Sequence, residues 1–228
     1  MRRFLVFVAL VVTVSVGLAP RSASAQVSIW LQRGVSGLGA SGTFSVNNEG
    51  TSYGVDAGYS YQGFLDFDLN ATYYSYDSDH QFASDQHVYG IGPTIQYHPL
   101  KQDKDMPVSV SLGVGFQKIF FSSDELSQSD ISIDAWNVGV NGSVYHFFRL
   151  GENTGVIPSV GLTFVHSETS ASGPGGSLSG SSNDLGLSLA GYFAYIDEGG
   201  HIYGAVPTIV IGDHVTFLIQ IGVVWSLL

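Results

Sequence analysis

The last stretch of the chain, Val215 to Leu228, is uncharged and alternates strictly. Val215, Phe217, Ile219, Ile221, Val223, Trp225 and Leu227 fall on one face. Thr216, Leu218, Gln220, Gly222, Val224 and Ser226 fall on the other, which is smaller and more polar. A period of two over this length dictates an extended strand with one unbroken apolar face. A strand of this kind must bury its bulky face in a core or present it to lipid.

The rest of the chain repeats the same pattern with the bulk on one side. Tyr53, Val55, Ala57, Tyr59 and Tyr61 alternate with Ser52, Gly54, Asp56, Gly58 and Ser60. Leu65, Phe67, Leu69, Ala71 and Tyr73 alternate with Asp66, Asp68, Asn70, Thr72 and Tyr74. Carboxylates in strict alternation with large apolar groups require a polar interior or water on their side. A soluble sandwich or lipocalin-like barrel is the competing fold. It would have only Gly, Ser, Asn and Asp to pack inside, and its large side chains would face solvent.

The first residues stand apart. Arg2 and Arg3 precede an apolar run, Phe4 to Ala19, and Ala23-Ser24-Ala25 is a small-x-small cleavage site. This is a secretory signal peptide over 1–25, with cleavage expected after Ala25. The run is short for a membrane-spanning helix. The remaining 203 residues hold five basic against nineteen acidic side chains, a formal charge of −14, and no cysteine. No basic patch exists for nucleic acid. Thiolate metal sites and cysteine catalysis are excluded. No apolar run of 18 residues follows Ala25, so a membrane would have to be crossed by strands.

The expected fold is therefore all-β: a closed antiparallel transmembrane β-barrel of ten strands, with eight the alternative count. The barrel is expected over 40–228, behind an N-terminal lead-in over 26–39 that could be periplasmic, a short plug or the start of the first strand. Strand one is expected at Ala40–Val46, paired with the last strand. Turns at 62–63, 99–105, 149–155 and 197–200 fall on one side. On the other side fall 47–50, 77–86, 122–130, 167–184 and 212–214, several of them longer and most of them acidic. Ser170 to Ser182 reads as a mobile Gly-Ser loop. Pro93 and Pro207 lie near mid-strand and are expected to mark bulges. Lys118 points outward near a strand end, where snorkelling or a bulge would accommodate it. Tyr59, Tyr61, Tyr97, Phe193, Tyr195, Tyr203 and Trp225 form one aromatic belt. Tyr73, Phe120, Phe121, Trp136, Phe164 and Phe217 form the other.

With its repeated aromatic-small-aromatic strands, Tyr53-Gly-Val-Asp-Ala-Gly-Tyr59 and Phe64 to Tyr76, and its terminal strand, the chain resembles the small outer-membrane β-barrel superfamily of OmpA-like, OmpX-like and OmpW-like porin-family proteins. The resemblance covers roughly Ala40 to Leu228. It implies an outer-membrane location and outer-membrane lipid as surroundings. It also implies recognition of the last strand by the barrel-assembly machinery. Leu228 takes the terminal position, where such barrels usually end in an aromatic residue, and Trp225 stands three before it.

Lumen-lining candidates are Asp56, Asp66, Asp68, Asn70, Asn137, Asn141 and Gln220. An acidic lumen favours cations, so a small passive, cation-preferring channel is one expectation. Small solutes or cations would be its partners. A structural or surface-interaction barrel without an open pore is the other. Asp77, Asp79 and Asp85 form a loose acidic cluster without the ligand spacing of a calcium loop. An outer-membrane protease or lipid hydrolase would need a rim constellation, for which His80, His87, His166, His214, Asp77, Asp85, Asp184, Asp213 and Ser167 are the candidates. No nucleophile elbow, zinc-protease motif or phosphate loop is present, so no enzyme, cofactor or metal is expected.

Overall fold

The computed structural model describes residues 27–48, 50–76, 87–103, 105–122, 132–173 and 176–227. Among these residues a helical turn, α1 (Val27–Trp30), precedes eleven strands: β1 (Ser36–Asn47), β2 (Gly50–Tyr61), β3 (Leu65–Tyr76), β4 (His87–Leu100), β5 (Ser109–Ser122), β6 (Ser132–Tyr145), β7 (Phe148–Arg149), β8 (Thr154–Gly173), β9 (Gly176–Ile196), β10 (His201–Ile211) and β11 (Val215–Leu227). The two-residue β7 is a flap on the start of β8. The other ten pair antiparallel with their neighbours, and β6 bypasses β7 to pair with β8. The first strand pairs with the last from Ser36↔Leu227 to Val46↔Phe217. The sheet is thus a closed ten-stranded transmembrane barrel, and the eight-strand count is set aside. Closure leaves no lipid-facing edge of bare amides and carbonyls.

The alternation sorts as the residue types demand. Val55, Leu69, Leu112, Leu162 and Ile221 lie on the exposed outer face, while Asp56, Asp66, Gln96, Ser111 and Asn137 are buried inside. Both aromatic belts contribute exposed rings, among them Tyr97, Tyr195 and Tyr203 at one end and Phe120, Phe164 and Phe217 at the other, whereas Phe121, expected in the second belt, faces inward because it is in the opposite phase to Phe120. Strands of 11 to 14 residues are long enough to span hydrocarbon when tilted.

Several local expectations are corrected. Strand one begins at Ser36, four residues earlier than Ala40, because Gly37 and Gly39 continue the inward phase with no side chain to register it. Pro93 pairs with Leu69 and Pro207 with Ile219 without any change of register, so neither marks a bulge. The register shift lies instead between Tyr97 and Leu100, around Pro99, and β4 runs on to Leu100. Lys118 needs no bulge: it stays in register opposite Trp136, and its side chain reaches toward the outer end to form an ion pair with Asp134. The supposed mobile loop at 167–184 is the top of a hairpin. The β8–β9 ladder continues to Gly173↔Gly176, well beyond the last β9–β10 pair, Leu187↔Ile211. Backbone ladders tolerate Gly and Ser when the strands beneath already set the register.

The tight turns follow their chemistry. Gln62 and Gly63 both take positive φ, 51° and 64°, at the centre of a turn closed by the Phe64 amide on the Tyr61 carbonyl, within a three-residue connection from β2 to β3. Gly63 has a second reason to lack a side chain: a Cβ there would lie 2.4 Å from the Gln32 carbonyl. The N-terminal segment therefore crosses directly over this turn, and Gly34 donates to the Gln62 carbonyl.

Candidate functional site

The barrel interior is the candidate site, and its walls differ. The strands β2 to β6 carry the polar wall. Asp56 accepts from the hydroxyls of Ser41 (3.3 Å) and Thr43 (3.2 Å). Gln220 Nε2 donates to Ser41 Oγ at 2.6 Å, which ties β11 into the same network across the seam. Gln96 donates to Ser111, which shares a bond with Ser143. Tyr74 donates to Gln117, whose amide donates to Asn70. Asn137 is fully buried, and Asn141 lies over Gly113, where a Cβ would meet its amide.

Asp66 and His98 are both wholly buried, with Nε2 3.3 Å from Oδ2. The carboxylate can only accept, so Nε2 carries the proton. Nδ1 then accepts from the Tyr145 hydroxyl at 2.8 Å. Asp68, on the same face two residues on, is different. It is 4% exposed and neither carboxylate oxygen has a hydrogen-bond partner among the described residues. It leans across Gly58, filling the space that a side chain there would take.

The opposite wall is apolar. Ile157, Tyr192, Ile202, Val206 and Val224 project inward from β8 to β11 and are buried. What buries them is the N-terminal segment. Ile29 packs with Tyr145, Ile157, Tyr192 and Val206. Leu31 packs with Ile202 and Val224. Trp30 bridges both groups, with its ring edge-on to Tyr192 at 5.6 Å between centroids. It sits in a bay made by Gly204, where a Cβ would come within 2.9 Å of the indole. Lys101 Nζ donates to the Leu31 carbonyl at 3.2 Å and anchors the end of the segment. A residual cavity of about 30 Å³, room for about one water, remains beside Trp30, Tyr192, Ser41 and Gln220. Ile29 to Leu31 thus lie against the inner face of the barrel, and β1 starts soon after, at Ser36.

Toward the other end, Val88, Ile119 and Ala135 form a small inner cluster with Tyr74 and Phe121 against it. Apolar clusters thus lie inside the barrel toward both ends, and the Asp66–His98 pair sits at the same end as the N-terminal segment.

The rim residues assemble only in part: Asp184, Asp213 and His214 come together, with a side-chain hydrogen bond between the two aspartates, and the others stay apart. Ser167 is buried on the inner face, whereas His166 is on the outer face and bonds Asn183 at 2.9 Å. Adjacent strand positions point to opposite faces, so this pair is split. His214 contacts Asn48 at 3.2 Å. His87 opens β4. His80, Asp77, Asp79 and Asp85 lie outside the described residues. Among the described residues no three His, Asp or Glu side chains converge to hold a metal ion.

Sequence reading singled out neither His98, Tyr145, Tyr192, Trp30 nor Lys101. The signal for His98 was present, since it shares the inward phase of β4 with Thr94 and Gln96. Trp30 carried none, because α1 is too short to show a period.

No family model matches the chain, and no curated protein matches it. Among solved structures it is similar to the attachment invasion locus protein Ail of Yersinia pestis, at 13% identity and a TM-score of 0.33, over 86% of this chain and 100% of that one. It is also similar to the β domain of the Bordetella autotransporter BrkA, at 13% identity and a TM-score of 0.49, over 85% and 100%. The KdgM porin aligns at 8% identity and a TM-score of 0.35, over 83% and 99%.

Proposed function

We propose that this chain is an outer-membrane barrel that forms a small cation-preferring conduit, closed on its periplasmic side by its own N-terminal segment. The observation that carries the reading is the buried acidic wall. Asp56, Asp66 and Asp68 face the lumen, and among the described residues Asp68 has no partner for either oxygen. An interior serving only as packing would gain nothing from such a carboxylate, since removing a charge from water without a partner costs several kcal/mol. A wall of this kind attracts cations and repels anions once water reaches it. The plug is held mainly by apolar contacts and by two hydrogen bonds at its exit, Lys101 to Leu31 and Gly34 to Gln62. It can leave the lumen without breaking the barrel ladder.

Location in the outer membrane is supported by the export signal and the closed lipid-facing sheet. The uncharged β11 fits the strand read by the barrel-assembly machinery. The mature chain should start at Gln26.

The test is conductance in planar bilayers. The mature chain should be mostly closed. A full-length variant with Ile29→Ser, Trp30→Ala and Leu31→Ser should open to discrete, cation-selective steps. Adding Asp66→Asn and Asp68→Asn should lower that selectivity. A loosened variant that is folded by circular dichroism yet silent would sink the conduit reading. The second reading, a non-conducting structural or surface barrel, would then stand. It is favoured by one observation, the β8–β9 extension above the barrel.

A further inference from the structure

The seat of the plug has a chemistry of its own. A water-filled conduit has no use for Ile157, Tyr192, Ile202, Val206 and Val224 on its inner face, since each exposes apolar surface when the plug leaves. Polar small side chains line the corresponding positions on β2 and β5, such as Ser60 and Ser111. The apolar seat also stops abruptly at a carboxylate. Ile29 touches Tyr145, Tyr145 bonds and packs edge-on to His98, and His98 bonds Asp66. One hydroxyl and one imidazole thus separate an aromatic bay from a buried negative charge.

The present occupant shows what the seat accepts. Ile29, Trp30 and Leu31 supply an apolar and aromatic body, and the ammonium of Lys101 lies at its end on the Leu31 carbonyl. That ammonium acts electrostatically on Asp66. Asp68 lies on the same face two residues on, and neither of its oxygens has a hydrogen-bond partner among the described residues. Together the segment and Lys101 make an apolar body with a cationic head.

We infer that the lumen seat filled by Ile29, Trp30 and Leu31 is a binding site for amphipathic organic cations. The apolar or aromatic body lies against Tyr192, Ile202 and Val206, and the ammonium is directed to Asp66 and Asp68. This deepens the conduit reading by naming its solute, and rests on that reading for entry of the solute. The Tyr192 face can contribute a cation–π contact as well as area. A neutral apolar compound lacks the head for the carboxylates. An anion is repelled by them. A metal cation leaves the apolar seat bare.

The experiment uses the full mature chain in lipid nanodiscs with benzyltrimethylammonium as probe, a permanently charged and water-soluble cation. Benzyl alcohol and benzoate are the neutral and anionic controls. Binding is followed by calorimetry. The Ile29→Ser, Trp30→Ala, Leu31→Ser variant should bind the probe at least about tenfold more tightly than the unaltered chain, because the plug no longer competes for the seat. In that background, Asp66→Asn with Asp68→Asn should weaken binding about tenfold or more, and Tyr192→Ala should weaken it independently. The controls should bind weakly, and the carboxylate changes should leave benzyl alcohol unaffected.

Equal binding of benzyl alcohol and the cation would overturn the inference. So would a loosened barrel that conducts small ions and fails to bind the probe, an outcome that leaves the conduit reading intact. Binding without conductance would keep the site and remove the conduit. If the triple variant does not fold, Trp30→Ala alone gives the same comparison with a smaller gain. No gain there overturns the inference too.

Discussion

Gly204→Ala tests the plug from the barrel side with one methyl group. Gly204 lies inside β10 and does not have a positive φ, so alanine fits the backbone. The added Cβ would come to 2.9 Å from Trp30 Cζ2, with Cε2 and Cη2 at 3.4 and 3.5 Å. Three indole atoms on one new carbon cannot all relax by a rotamer change, because Tyr192 and the apolar seat hold the ring from the other sides. Overpacking of this kind costs about 1–3 kcal/mol. That cost falls on docking of the segment, and it shifts the ratio of seated to released plug by roughly 5- to 150-fold. The barrel ladder moves the other way. Gly→Ala at a compatible site stabilises by about 0.4–1 kcal/mol by restricting the unfolded chain. The two effects separate in one sample. Acrylamide quenching of Trp30, read with Trp136→Phe and Trp225→Phe to remove the other indoles, should rise. The urea midpoint of the whole barrel should hold or increase. In a double-mutant cycle Trp30→Ala should cancel the cost of Gly204→Ala. Unchanged quenching, or a cost that persists without Trp30, would refute the seating of the indole against β10.

Two further outcomes follow from the interior and the turns. Asp68→Asn should stabilise the barrel by about 1–3 kcal/mol in urea unfolding at neutral pH, since asparagine requires neither a buried charge nor proton uptake at a site with no partner among the described residues, while Asp66→Asn should destabilise it by a similar amount through the bond to His98; equal signs would refute the distinction drawn between them. At the exposed turn after β9, hydrogen bonds from the His201 side chain and backbone hold Asp197 below the usual carboxylate range. A depressed carboxylate contributes stability that is present above its ordinary value near 4 and lost as pH falls through the folded value. Asp197→Ala should therefore flatten the fall in stability below about pH 4 and leave the range above it with a constant deficit; an unaltered acid slope would refute the assignment.

Most of the fold was legible because period two survives wherever side chains differ across the sheet. The β2 and β3 ladders fall where Tyr53–Tyr61 and Leu65–Tyr73 place them. The reading failed where the two faces are chemically alike. Gly37 and Gly39 offer no contrast to mark the start of β1, and the Ser-Gly run above Asp184 offers none either. The three buried aspartates follow from phase alone. Their partners do not, because the bonds of Asp66 to His98 and of Asp56 to Ser41 join strands by registers that no local pattern encodes. The plug was least legible. Its contacts lie as far along the chain as Val224, and only closure of the barrel brings them together.

The upper part of β9, from Gly176 to Gly186, lies beyond the last pair with β10, and among the described residues its backbone ladder runs to β8 alone, with Asp184 reaching Asp213 through its side chain. Strand edges of this sort anneal to similar edges on other molecules when their side chains are bulky and apolar. Here the edge is built from Gly, Ser, Asn and Asp, with Leu178 and Leu185 as the only large apolar groups. Stacking such a strand against a copy of itself would bury little, and Asp184 would meet its own charge. The composition that makes this stretch read as a linker is what lets an open strand stand without gluing neighbouring barrels together.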